Sequence, residues 1–131
     1  MGDIHAERRT PGAPDMPLDL DAAAEELLRE AGGMSSGRAA RTLTPGAHAQ
    51  LKQTLVALRA GVALSEHETN GPATIQLLRG EATITAGGEP VVRLAGGDWA
   101  IIPEERHDLQ ASQDTVALIT VSPVTPATPE G

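Results

Sequence analysis

His67 and His107 are the residues of this chain best suited to chemistry. His67 ends the stretch Val62-Ala63-Leu64-Ser65-Glu66, and His107 lies between Pro103 and Leu109. An imidazole directed into an apolar interior is costly unless a polar partner satisfies it, so two of them in such surroundings are candidates for function. Histidine titrates near neutrality, which suits it to general acid–base work, and its neutral ring is a common metal ligand. Glu66 and Glu68 flank His67, where they either orient the ring or form a solvated loop edge. Arg106, beside His107, either meets an anionic ligand at a cavity mouth or pairs with Glu104 or Glu105. Trp99, the one aromatic residue, reads as core or interface. His5 and His48 are assigned no role.

Other chemistries are excluded by what is missing. The 131 residues contain no cysteine, which removes disulfides, thiolate metal sites and cysteine nucleophiles. There is no phosphate-binding glycine loop between a strand and a helix, no Gly-x-Ser-x-Gly elbow and no His-Glu-x-x-His helix. Ten basic against eighteen acidic residues give a net charge of −8, which disfavours nucleic acid and anionic membranes as partners. No apolar run is long enough to span a bilayer, and Met1 to Thr10 lack the apolar stretch of a signal peptide. A cytoplasmic location is the expectation.

The elements that must position the histidines read as follows. Residues 1–17 are rich in proline, glycine and charge, and are expected to be a disordered arm. From Asp19 the apolar period is helical, with Leu20, Ala24, Leu27, Leu28 and Ala31 on one face. Asp19 or Asp21 caps its start and Gly32-Gly33 stops it, so residues 18–37 are a helix and linker. Over 38–122 the period switches to two. Strands are expected at 39–44, 50–59, 63–67, 73–79, 81–86, 90–94, 98–102, 107–111 and 115–121, punctuated by glycine and proline turns. Many short strands at this spacing imply a sandwich or barrel. Residues 123–131 are expected to be a disordered tail. The runs Thr54–Leu58 and Val116–Val121 are apolar on both faces, so their outer faces need a cover. The helix supplies one cover, and a homodimer is expected to supply another.

The glycine, proline and histidine spacings resemble the two motifs of the cupin superfamily over residues 50–121. Gly61, His67 and Gly80 stand at matching places of the first motif, while Thr69 and Ala73 occupy its second His and its Glu positions. Gly97 and Pro103 match the second motif, and His107 follows one residue early. The resemblance implies an all-β fold: a small, jelly-roll-like β-barrel of two antiparallel sheets, preceded by one helix. It also implies a divalent transition metal (Fe, Mn, Ni, Cu or Zn) or none, since only His67 and His107 of the family's four ligands carry over. Glu68 and Gln76 are the nearest additional donors, with Asp108 a third. Strand alternation turns Gln76 away from the interior and Asp108 away from His107.

The expected function is binding of a small molecule between the sheets, directly or through a metal held by His67 and His107. Ile75, Leu77 and Leu109 are the expected apolar walls. The alternative is a metal-dependent cupin enzyme, such as a small dioxygenase or isomerase. The sequence leaves open which of the two it is.

Overall fold

The computed structural model describes residues 16–44, 50–67 and 71–122. Nearly all of the expected arm, the tail, His5, His48, Glu68 and Thr69 lie outside the described residues, as do the side chains of residues 65–67. The helix α1 runs Leu20–Gly32, one residue later than its pattern suggested. Asp19 is its N-cap, its carboxylate accepting from the Ala22 N–H at 3.2 Å, which satisfies one of the amides orphaned at a helix start. Its buried stripe is Ala23, Ala24, Leu27 and Ala31. Three of those four residues are alanine, so the helix lies close against its neighbour. Leu20, expected on this face, is 37% exposed at the entry to the helix.

Nine strands follow among the described residues: β1 (Arg38–Thr42), β2 (Lys52–Leu58), β3 (Ala63–His67), β4 (Ala73–Arg79), β5 (Glu81–Ala86), β6 (Glu89–Ala95), β7 (Trp99–Ile101), β8 (His107–Ala111) and β9 (Thr115–Val121). They form a five-stranded sheet, β1-β2-β9-β4-β7, and a four-stranded sheet, β3-β8-β5-β6. Every described pairing is antiparallel. The all-β reading therefore holds, with one refinement. Among the described residues no ladder joins the two sheets, so the architecture is a jelly-roll sandwich and not a closed barrel.

Between the sheets lies an aliphatic core that includes Val56, Leu58, Ile75, Leu77, Ile84 and Leu109. A second core lies on the outer face of the larger sheet, where Leu55, Ala57 and Val116 meet the alanine-rich stripe of α1. This explains the doubly apolar runs. Along β2, Val56 and Leu58 face the sandwich interior, while Leu55 and Ala57 face the helix. The chain's own helix is thus one of the expected covers, over Leu55, Ala57 and Val116. Arg79 of β4 reaches the start of α1, 3.6 Å from Asp21 and 4.0 Å from Glu25. Such exposed pairs add little stability, and burial of the stripe holds the helix in place.

Strand β7 is shorter than the expected 98–102. Asp98 ends the preceding turn by accepting from the Ala95 N–H at 2.8 Å, and Pro103 stops extension beyond Ile102. Trp99 does not join the core: it lies on the outer face of this edge strand and is 60% exposed.

Candidate functional site

Strands β3 and β8 bring the two histidines together. Their register pairs Ala63 with Gln110, Leu64 with Leu109, and His67 with His107. Between the last two pairs β3 advances three residues while β8 advances two, which is a β-bulge in β3. Without it Glu66 would stand opposite His107. The extra residue carries the chain one step further, so the two histidines end as direct cross-strand neighbours. On its other side His107 is paired with Ala86, the last residue of β5.

His107 is only 4% exposed and, with Leu109 and Ala111, belongs to the buried side of β8. Its Nδ1 lies 2.9 Å from the Glu105 carbonyl oxygen. A carbonyl oxygen only accepts, so Nδ1 is the donor nitrogen of this pair. The Glu104–Arg106 turn thus holds the ring through its backbone. Sequence reading missed this contact because a carbonyl has no residue signature; the short loop before His107 was the available signal.

Chain connectivity fixes the surroundings. The segment after His67 leads into Ala73 of β4, and Ile101 of β7 leads through Ile102 to His107. Ala73 and Ile102, both buried, therefore close the same end of the sandwich from the facing sheet. The expected walls Ile75, Leu77 and Leu109 all lie in the core between the sheets, at 1%, 0% and 4% exposure. Leu109 is one inward step along β8 from His107. Ile75 is one inward step from Ala73, and Leu77 lies deeper, where its backbone already bonds Asp98 and Gly97 at the opposite end.

The additional donors behave as alternation requires. Gln76 is exposed on the outer face of β4. Asp108 turns away from the His107 side, where its carboxylate accepts hydrogen bonds from the Thr85 hydroxyl and, at 3.3 Å, from Gln110 Nε2. Among the described residues no group of three or more His, Cys, Asp or Glu converges as a metal cage would require. His67 and His107 fit a metal as half of a ligand set, with His107 donating from Nδ1 to a carbonyl as ligating histidines do. The described residues do not complete that set.

No family model matches the sequence, and no curated protein matches it. Solved structures do. A conserved Streptococcus pyogenes protein of unknown function is 26% identical, with 71% of this chain and 80% of that one aligned at a TM-score of 0.60. A cupin superfamily protein from Desulfitobacterium hafniense is 20% identical over 88% of this chain and 99% of its own, at a TM-score of 0.69. A mutant form of the salicylate 1,2-dioxygenase of Pseudoaminobacter salicylatoxidans is 23% identical over 79% of this chain, at a TM-score of 0.62, but the match spans only 33% of that longer enzyme. Two antiparallel sheets with paired motif histidines at one end, superposable over nearly the full length of a cupin structure, identify this chain as having the fold of the cupin superfamily.

Proposed function

We propose that the protein binds a small, largely apolar molecule at the His67–His107 end of the sandwich and holds it by its polar group. The carrying observation is the register pair itself: two imidazole-bearing residues are opposed through a bulge, and one of them is almost fully buried beside an aliphatic core. His107, its Nδ1 held by the Glu105 carbonyl and its side chain almost fully buried, is the polar residue at that end beside which the polar group of the molecule would lie. Ile75 and Leu109 supply apolar contact near that group, and Leu77 closes the deeper end.

The same Nδ1 contact supports a second reading, in which Nε2 of His107 and a ring nitrogen of His67 hold a divalent transition metal for an enzyme of the dioxygenase or isomerase kind. Such a metal, when bound, would polarise an oxygen of the substrate. The chain's own part is to position the two rings and exclude water with aliphatic side chains. Thr69 and Ala73, standing at two of the four ligand positions of the cupin motifs, favour the metal-free reading.

Methyl-detected NMR titration with benzoate and salicylate separates binding from no binding. Shifts confined to Ile75, Leu77 and Leu109 methyls, and lost in a His67→Ala/His107→Ala double variant, are expected. Shifts that persist unchanged in the double variant would sink the assignment of the site. Titration with Zn²⁺ and Fe²⁺ decides between the two readings: tight binding that the double variant loses would establish the metal reading.

A further inference from the structure

Lys52 is the only lysine in the chain, and β2 turns it inward. Along this strand Val56 and Leu58 belong to the core between the sheets, while Leu55 and Ala57 face the helix. The β2–β9 ladder runs from Lys52 to Leu58 without a register shift, so Thr54 and Lys52 share the inward side. Gln53 shows the same parity from the other side. It points outward, where its Nε2 donates to the Thr120 hydroxyl at 3.2 Å. Register also fixes the depth. Lys52 pairs with Val121 and Val121 with Ala73, so these three form one row across the larger sheet. Ala73 closes the end of the sandwich at which the histidines stand. The next row inward is Thr54, Ile119 and Ile75. An ammonium thus stands at the rim of that end, on the sheet facing the histidines, above a hydroxyl and an aliphatic wall.

A charge at an inward-facing position is costly unless it reaches solvent or an opposite charge. Lys52 is exposed, and among the described residues no carboxylate is paired with it. Lysine offers three donors and no acceptor, so its complement is an anion. The chain as a whole carries −8, which repels anions at a distance. An anionic ligand therefore needs a cation within the site itself.

We propose that Lys52 sets the specificity of the His67–His107 end, which takes a small monocarboxylate with an apolar body. The proposal rests on the reading of that end as a binding site and names the chemistry of its ligand. The carboxylate meets the Lys52 ammonium at the rim, a charge-assisted hydrogen bond, with the Thr54 hydroxyl one row below as a further donor. The apolar body lies against Ile119 and Ile75. One ammonium, a compact point charge, matches one negative charge, so a carboxylate suits it better than a phosphate dianion.

As the only lysine, Lys52 gives a single ε-methylene signal in a carbon–proton correlation spectrum. Titration of the full chain with benzoate is expected to shift that signal and the Leu109 methyls with one midpoint. Benzamide, similar in shape but uncharged, should move the Leu109 methyls with a midpoint at least about tenfold higher. In Lys52→Met, benzoate should weaken to the level of benzamide, while benzamide binds as it does to the parent. Leu109 shifts that are equal for the two compounds, or that Lys52→Met leaves unchanged, would overturn the role of Lys52 and leave the binding site standing. Loss of benzamide binding in Lys52→Met would mark the residue as structural and overturn that role as well. So would a Lys52 shift without Leu109 shifts, which would mean ion pairing at the surface alone. Silence of both signals would overturn the binding site and this proposal together.

Discussion

Two residues show how different the demands on motif positions are. Gly80 adopts φ +96°, and a Cβ placed there would lie 2.3 Å from the Asp114 carbonyl oxygen and 2.8 Å from the Thr115 Cα. Gly97 has a similar φ of +94° with nothing within 4 Å. Gly97→Ala is therefore expected to cost about 1–2 kcal/mol from backbone strain alone. Gly80→Ala should cost clearly more, because the obstacle is backbone that cannot rotate away; urea denaturation of both variants checks the order. His107 makes the opposite demand. Replacing it with leucine removes a buried polar group from an apolar setting, so stability at neutral pH should change by no more than about 1 kcal/mol in either direction. Ligand shifts at Leu109 should vanish in the same variant. A loss of several kcal/mol on thermal unfolding would instead mark His107 as a structural residue.

Among the elements, the β2–β3 connection is tied to the β8–β9 turn by one carboxylate. Asp114 Oδ1 accepts from the Ala60 N–H at 2.9 Å and from Arg59 Nε at 3.2 Å. The Ala60 hydrogen bond, helped by the Arg59 guanidinium, holds the Asp114 carboxyl below its ordinary 3.8 against the opposing effect of burial. A carboxylate whose folded pKa is depressed stabilises the fold above its unfolded value, and that contribution disappears as pH falls through the folded one. The tie should therefore persist at neutral pH and weaken only below about pH 3.8. Asp114→Asn is expected to flatten that acid limb of the stability curve. Since the side chain is about half exposed, the change should be small; a variant with an unaltered limb would show that the tie contributes nothing.

At the scale of the whole molecule, two cores share one sheet. Leu55, Ala57 and Val116 belong to the helix-facing core, while Val56, Leu58 and Ala117 on the same strands belong to the core between the sheets. Neither core can be opened without disturbing strands that build the other. Amide exchange in α1 and in β2 and β9 is thus expected to proceed through one opening of similar free energy. Leu27→Ala, at a site only 2% exposed, should lower that common value by about 2–4 kcal/mol. Fast exchange in α1 beside fully protected β2 and β9 would show that the helix is a detachable cover.

Much of this fold was legible in local pattern. The strands 63–67, 73–79, 81–86, 107–111 and 115–121 appear with the bounds that alternation and glycine turns assign. The outward direction of Gln76 and of Asp108 follows from the same period of two, because side-chain parity belongs to a single strand. Other features depend on which strands meet. The bulge that opposes His67 to His107 is a mismatch in advance between two strands 40 residues apart in the chain, so neither strand's own pattern contains it. The donor role of His107 Nδ1 rests on a backbone carbonyl, and every residue type supplies one. Trp99 is apolar and lies in an apolar run, yet it is exposed because β7 falls at the edge of its sheet and the helix covers the other half. Composition and period determined which faces are apolar; tertiary packing decided which of them the chain covers itself.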